Sequence, residues 1–150
     1  APCRRHLAPL KNPEATARTL QHHADGTWLH SGDTVRCDAD GFVYFVDRGK
    51  DLIKRGGENI SSSEIEGVIA LLPAVADVAV IGLPDPIKDE AVAAVIVVKP
   101  GQTLAAEAVQ SHCAAHLSAF KIPEHVRFVE TLPRTSVGKI QKAVIRTWFA

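Results

Sequence analysis

The sequence has 150 residues in which 17 Lys and Arg balance 17 Asp and Glu, so its formal net charge is zero. A neutral chain offers no broad basic field for nucleic acid or an anionic membrane, and two Trp with one Tyr are too few to stack single-stranded bases. The longest apolar run, residues 91–98, is too short to span a bilayer. Three widely separated Cys residues form no disulfide framework, which predicts a reducing, cytoplasmic location.

The N-terminal part of the chain has the pattern of a β-rich segment. Residues 13–20 are predicted to form a helix, with Asn12 as its N-cap and Pro13 at the first helical position. Short apolar runs predict strands at residues 27–30, 34–37 and 42–46, and the DADG turn joins the last two as a hairpin. A charged connector with three glycines follows at residues 47–59.

The remaining residues have the pattern of a compact α+β unit. The predicted helices are residues 63–72, about 102–117 and 142–149, and the predicted strands are residues 75–82, 91–98 and 126–129. Pro84 and Pro86 predict an open loop between the first two of these strands. We therefore expect a small α+β domain at residues 50–150, with a central sheet of about three strands, flanking helices and a short hairpin near residues 50–61.

The segment PRTSVGK near the C-terminus ends on Lys139. A lysine on a polar loop can place a compact positive charge against a phosphate or a carboxylate. The segment is not a Walker A loop, because that motif needs a second glycine where this sequence has Pro133. On spacing alone, the alternative is an exposed lysine with no function.

Asp33 follows a glycine between two predicted strands, in the segment HSGDT. A carboxylate at such a turn can accept two hydrogen bonds from a ribose diol, as an acidic residue does in dinucleotide-binding folds. The alternative is a carboxylate that caps its own turn.

Four cations, Arg48, Lys50, Lys54 and Arg55, lie in the connector beside Gly56-Gly57. This patch could hold phosphates, or its glycines could absorb backbone change at a hinge. A solvated loop surface is the alternative.

No metal site is predicted from spacing. A calcium loop that starts at Asp38 would have Gly49, not Glu, at its last ligand position. His112 and His116 lie one helical turn apart but lack the Glu of an HExxH motif.

Four motifs in a fixed order identify a protein family far more specifically than any one of the motifs alone. KNPEATARTL, GTWLHSGD, GFVYFVDRGKDLIKRGGENISSSEIE and PRTSVGK follow one another from Lys11 onward. Together they resemble successive signatures of the adenylate-forming acyl-CoA synthetase family. The resemblance implies that residues 1–49 are the end segment of a large N-terminal AMP-binding domain, and that residues 50–150 are the small C-terminal domain. It also implies an AMP-forming acid–thiol ligase that uses ATP, Mg²⁺ and coenzyme A.

The resemblance assigns residues to a first half-reaction, in which a carboxylate attacks ATP to give acyl-AMP and pyrophosphate. Lys139 matches the family's catalytic lysine of this step, where a preorganised cation offsets the converging negative charge. Asp33 matches the aspartate that binds the ribose hydroxyls, and Arg48 matches an arginine that contacts the nucleotide.

In the second half-reaction of the family, the C-terminal domain rotates and the thiol of coenzyme A attacks the acyl carbon. Lys50 falls at the hinge position. The resemblance implies that Lys54 serves the thioester step, while Gly56, Gly57 and the adjoining Glu58 face the cofactor and leave room for its pantetheine arm.

The family's phosphate loop and acid pocket belong to the large domain, so the isolated chain is predicted to be inactive. Its expected partners are a small carboxylic acid, ATP, coenzyme A and its own N-terminal domain. The oligomeric state is not predicted, and an oligomer is possible. IKRGGENISSSEIE, DPIKDEAVAAVIVVKPG and FKIPEHV look closest to ligases of crotonobetaine/carnitine or of medium- and long-chain fatty acids. Two alternatives stay open: an adenylate-forming enzyme that does not use coenzyme A, and a non-catalytic binding domain of the same fold.

Overall fold

The computed structural model describes residues 12–49 and 51–149. Contacts divide the chain into two compact units between Phe45 and Val46. The predicted hinge residue, Lys50, lies outside the described residues, and the predicted domain division after residue 49 stays a prediction. Within the described ranges, no helix is both long enough and apolar enough to cross a membrane.

In its described part, the first unit contains one helix, one hairpin and most of a second hairpin, whose last strand continues into the second unit. Helix α1 (Pro13–Thr19) begins as predicted at Asn12, whose Oδ1 accepts the Ala15 N–H at 2.9 Å. The chain then enters a strand that the sequence did not predict: β1 (Leu20–His23) pairs antiparallel with β2 (Gly26–Leu29). Strands β3 (Asp33–Cys37) and β4 (Val43–Arg48) form the predicted hairpin.

The first unit exposes its large apolar side chains. None of residues 12–45 is buried, and Trp28, Phe42 and Phe45 are 56%, 66% and 60% exposed. Isolated exposed apolar residues are ordinary, but a concentration of this kind is unusual for a free protein surface.

The second unit is built on a five-stranded sheet. Its strands are β5 (Ile53–Arg55), β6 (Glu58–Ile60), β7 (Val75–Asp85), β8 (Asp89–Val98) and β9 (His125–Val129), in the order β6-β5-β8-β7 with β9 parallel to β8. The three strands predicted for the central sheet are present, and the predicted hairpin adds β5 and β6 to the same sheet. Because β7 pairs with β8 along its length, β5 and β9 share the other edge of β8.

The open loop predicted between β7 and β8 is wrong. Pro84 lies inside β7, opposite Glu90 of β8. An edge strand tolerates the missing N–H of proline, and β7 is at the edge of the sheet. The turn is then closed by Asp85, whose Oδ1 accepts the N–H groups of Ile87 and Lys88 at 2.9 and 2.8 Å.

Helices cover both faces of this sheet. Helices α2 (Ser62–Ile69) and α3 (Ala106–His116) pack on one face around Ile65, Ile96 and Val109, which are fully buried. Helix α4 (Lys142–Thr147) packs on the other face through Ile145. The N-cap of α2 is Ser61, not one of the two serines that follow it, which leaves Ser62 available for another contact. The segment that carries Lys139 connects β9 to α4.

Candidate functional site

The segment around Lys139 is a tight loop with defined backbone geometry. Arg134 and Ile140 form an antiparallel bridge at its base, and the Thr135 N–H donates to the Lys139 carbonyl at 2.8 Å. Gly138 has a φ of +82°, which an L residue rarely adopts, so glycine is needed directly before the lysine. The loop therefore holds the Lys139 backbone in place while the side chain is exposed to solvent.

Two polar side chains anchor this loop, and the sequence alone did not identify either. Arg134 forms an ion pair with Asp77 of β7 and donates from Nη1 to the Gly138 carbonyl at 2.6 Å. Gln141 donates from Nε2 to the Arg134 carbonyl at 2.7 Å. These contacts tie the Lys139 loop to the sheet and to the start of α4.

The Lys139 loop forms one wall of an open cleft of about 650 Å³ in the second unit, which we call the lysine cleft. Arg48 and Asp51 line the lysine cleft from the end of β4, and Lys142 lines it from α4. With Arg134 also present, four cations and one carboxylate line the lysine cleft. Because Arg134 and Lys142 also form ion pairs with Asp77 and Glu66, the exposed Lys139 is the cation best placed to meet an anion such as a phosphate. Two of the predicted site residues, Arg48 and Lys139, thus line the same cleft.

Asp47 lies directly before Arg48 and is almost fully buried. Its Oδ1 accepts the Arg48 N–H at 2.7 Å, and its Oδ2 accepts the hydroxyls of Ser61 and Ser62, both at 3.0 Å, and the Ser63 N–H at 3.3 Å. Burial opposes ionisation of this carboxyl, but the four hydrogen bonds outweigh it and hold the pKa of Asp47 below its usual value. Asp47 is therefore a carboxylate fixed to the N-terminus of α2.

Lys142 extends this set of contacts to the lysine cleft. Its Nζ donates to Ser62 Oγ at 2.7 Å and forms an ion pair with Glu66 Oε1 at 2.8 Å. Glu66 Oε1 in turn accepts the Val80 N–H of β7 at 2.8 Å. Asp47, Ser62, Lys142 and Glu66 form one connected set of polar side chains, which we call the Asp47 network.

The predicted cofactor-contacting residues of the connector form a separate site. Gly56 and Gly57 make the two-residue turn between β5 and β6, with φ values of +56° and +84°. Both positive values favour glycine, as in the tight turns of β-hairpins. Lys54 and Glu58 flank this glycine turn with exposed side chains. None of these four residues lines the lysine cleft.

A charged clamp fixes the glycine turn against the rest of the sheet. Glu124, directly before β9, forms ion pairs with Arg55 and with Lys88, the latter at 3.0 Å. The Lys88 carbonyl accepts the Gly56 N–H at 3.0 Å. The hydrogen bond from Lys88, together with the nearby positive charges, lowers the pKa of Glu124, so the clamp stays charged at neutral pH.

Asp33 lies in the first unit, at the start of β3, where Gly32 before it has a φ of +79°. Its side chain is exposed and its own N–H donates to Ser31 Oγ at 3.2 Å. Asp33 therefore lies directly after a glycine with positive φ, as the first residue of a strand, and its predicted role stays a prediction.

The described residues contain no group of three or more His, Cys, Asp or Glu side chains that could hold a metal ion. His112 and His116 have contacting rings, but the Nε2 of His112 lies 3.0 Å from the Val68 carbonyl and the Nδ1 of His116 lies 2.9 Å from the His112 carbonyl. His112 therefore links α3 to α2, and His116 contacts the backbone of its own helix.

Comparisons with known proteins agree on one family. The family model for the AMP-binding enzyme C-terminal domain matches residues 64–139, a segment that ends on Lys139. A crotonobetaine/carnitine–CoA ligase of Escherichia coli O8 (strain IAI1) is 48% identical over 129 residues, which are 86% of this chain and 24% of that protein.

Two solved structures have the same fold over nearly all of the chain. ATP-bound MatB of Rhodopseudomonas palustris is 37% identical with a TM-score of 0.81, covering 93% of this chain and 27% of that one. The amide bond synthetase McbA of Marinactinospora thermotolerans is 35% identical with a TM-score of 0.82, covering 95% of this chain and 29% of that one. The chain thus spans about a quarter of the length of the curated relatives that it matches.

Proposed function

Since the chain belongs to the family of AMP-binding enzyme C-terminal domains, we propose that it is the C-terminal part of an AMP-forming acid–CoA ligase. Residues 1–49 would end the large N-terminal domain, and residues 50–150 would form the small C-terminal domain. The observation that carries this proposal is the lysine cleft, which Arg48 and Lys139 both line.

In the first half-reaction, a carboxylate oxygen attacks the α-phosphorus of ATP, the bond to pyrophosphate breaks and acyl-AMP forms. Negative charge accumulates where the carboxylate and phosphate oxygens converge, so a fixed cation stabilises the transition state. The Lys139 loop is suited to this role because its backbone is anchored and its ammonium group reaches solvent. Arg48 would contact the nucleotide from the same cleft, and Asp33 would accept the ribose hydroxyls.

Mg²⁺ would accompany the phosphates of ATP and neutralise part of their charge. The described residues offer it no cluster of carboxylates, so this chain would meet the ion through the nucleotide. No step assigned to these residues depends on direct contact with the ion.

In the second half-reaction, the sulfur of coenzyme A attacks the acyl carbon, the bond to AMP breaks and the thiol proton is released. The C-terminal domain would rotate about Lys50 between the two steps and bring the glycine turn to the reacting groups. Gly56 and Gly57 present no side chain there, and an added Cβ at either would meet no atom of the described residues within 4 Å, apart from its own neighbours in the chain. That open space would take the pantetheine arm, with Lys54 and Glu58 beside it.

The exposed aromatic residues of the first unit support its assignment to a larger domain. Trp28, Phe42 and Phe45 are each more than half exposed, which is costly for a free surface. The N-terminal part of the protein would cover them.

The acid substrate is proposed by similarity alone. The E. coli relative is named as a crotonobetaine/carnitine–CoA ligase, and quaternary-ammonium acids or fatty acids are therefore the first to test. A cytoplasmic location is proposed as well, since Cys37 and Cys113 are both free thiols, as a reducing compartment favours.

A second candidate is an adenylate-forming enzyme that passes its acyl group to an amine. The observation in its favour is the structural similarity to an amide bond synthetase, at a TM-score of 0.82. Product analysis separates the two: a ligase gives a thioester when coenzyme A is present, and an amide synthetase gives an amide when an amine replaces it.

The function is tested by expressing the full-length protein that contains this chain and measuring AMP and thioester with ATP, coenzyme A and a panel of carnitine-like and fatty acids. We expect one class of acid to give equal amounts of AMP and thioester. We also expect the isolated 150-residue chain to give neither, because it spans about a quarter of its relatives. If the isolated chain made thioester at a comparable rate, the assignment to one part of a larger enzyme would be wrong.

The charged clamp gives a prediction for the second half-reaction. Glu124→Gln removes the charge that holds Arg55 and Lys88, so the glycine turn loses its support. We expect the KM for coenzyme A to rise about fivefold, which corresponds to about 1 kcal/mol, an ordinary value for a partly exposed ion pair. Acyl-AMP formation should not change.

Glu64→Gln is the matched control for this variant. It removes another ion-paired glutamate. Glu64 Oε2 lies 2.7 Å from Lys121 Nζ, and this ion pair is not part of the clamp at the glycine turn. Steady-state kinetics of both variants provide the measurement. An equal rise in KM for both, or no rise for Glu124→Gln, would contradict a role for the clamp.

A further inference from the structure

Asp47 and Ser62 are the buried polar residues of the described part of the chain, at 3% and 0% exposure. Burying polar side chains is unfavourable unless each of them has its hydrogen-bond partners. Both residues belong to the Asp47 network, which ends at Lys142 in the wall of the lysine cleft. Neither residue was identified from the sequence as part of a site.

We propose that Asp47 is a positioning residue, which fixes Arg48 and the Lys139 loop at one cleft during acyl-AMP formation. This inference rests on the proposed function and extends it. Asp47 does not line the lysine cleft itself. It acts through its neighbours on both sides of that cleft.

The contacts form a continuous path between the two walls. Asp47 Oδ1 accepts the Arg48 N–H at 2.7 Å and Oδ2 accepts the Ser62 hydroxyl at 3.0 Å. The Ser62 oxygen accepts from Lys142 Nζ at 2.7 Å. Lys142 begins α4, three residues after Lys139 in the sequence. A displacement of Asp47 would therefore move Arg48 relative to the Lys139 loop.

The position of Asp47 in the sequence makes this effect specific for one half-reaction. Asp47 precedes the predicted hinge at Lys50, whereas its partners Ser61, Ser62 and Ser63 follow it. A rotation about Lys50 would separate these groups. The Asp47 network would therefore stabilise only the arrangement for acyl-AMP formation, in which Arg48 and Lys139 line one cleft. Its hydrogen bonds would be broken in the arrangement for thioester formation.

The test compares the two half-reactions in the full-length protein. Acyl-AMP formation is measured by ATP–pyrophosphate exchange, and thioester formation is measured separately from chemically prepared acyl-AMP and coenzyme A. For Asp47→Asn we expect the kcat of ATP–pyrophosphate exchange to fall about tenfold. The rate of thioester formation from prepared acyl-AMP should change less than twofold. Ser62→Ala, a smaller change that breaks the same path, should reproduce the selective loss, and Asp47→Glu should restore part of the exchange rate.

Asp38→Asn is the matched control. Asp38 also accepts two backbone N–H groups and one hydroxyl, from Asp40, Phe42 and Tyr44. It lies in the first unit, outside the lysine cleft, and its substitution should leave the ratio of the two rates unchanged. Thermal unfolding of each variant separates a loss of folded protein, which lowers both rates together, from a loss of positioning.

The outcomes distinguish the inference from the function on which it rests. A selective loss of exchange in both Asp47→Asn and Ser62→Ala supports positioning. An equal loss in both half-reactions, or no loss, overturns the inference while the ligase function stands. If the unaltered protein forms no AMP from any acid, the proposed function fails and the inference fails with it.

Discussion

Replacement of Lys139 by Ala in the full-length protein is expected to slow acyl-AMP formation about a hundredfold, the effect of removing one preorganised charge at a transition state. Thioester formation from prepared acyl-AMP should be nearly unaffected, because the glycine turn and not the Lys139 loop would serve that step. Stability should not change, since the Lys139 side chain is exposed. ATP–pyrophosphate exchange and thermal unfolding are the two measurements.

Lys99→Ala is the control for this substitution. Lys99 is another exposed lysine, and its Nζ donates to the Pro73 carbonyl at 2.7 Å, away from the lysine cleft. Its replacement should leave both half-reactions at their normal rates. An exchange rate that is unchanged in Lys139→Ala would remove the strongest residue assignment from the ligase proposal and favour a non-catalytic binding domain.

The positions of Lys139 and the glycine turn could be predicted because local sequence determines them. Gly138 and Gly57 both have positive φ values, and each is needed where the chain reverses direction over a few residues. The cap of α1 at Asn12 is another local feature that the sequence identified correctly. Such features depend on residues that are neighbours in the sequence, so a sequence motif is enough to predict them.

The supporting contacts could not be predicted, because they join residues that only the fold brings together. Ser62 and Lys142 are 80 positions apart, and Arg134 contacts Asp77 over a separation of 57. The sequence shows that these residues are polar, and polar residues are usually exposed. Only their contacts, together with the burial of Ser62, indicate that they hold the site together.

Two of the errors in the predicted fold have the same origin. Pro84 is acceptable in β7 because that strand lies at the edge of the sheet, and Leu20–His23 is a strand because β2 pairs with it. Neither the sheet order nor this pairing can be read from local propensity, which tertiary contacts override. The helix predicted to end at Leu20 was almost correct, since α1 ends at Thr19.

Replacement of Gly57 by Val is expected to slow thioester formation about 30-fold while acyl-AMP formation stays within twofold. The added side chain would project into space that is open in this structure and that the pantetheine arm would occupy during the second step. Crowding of this kind typically costs about 1–3 kcal/mol, and about 2 kcal/mol corresponds to the stated factor. Rates from prepared acyl-AMP, measured over a range of coenzyme A concentrations, provide the test.

Gly101→Val is the control that distinguishes crowding of the pantetheine arm from strain in the backbone. Gly101 has a φ of +75°, close to the +84° of Gly57, and an added Cβ there also meets nothing within 4 Å. Both variants therefore carry a similar conformational penalty, and both should lose a similar amount of thermal stability. If Gly101→Val slowed thioester formation as much as Gly57→Val, strain would explain the loss. A loss confined to Gly57→Val would mean that the glycine turn meets coenzyme A, and that this small domain uses one surface for each half-reaction.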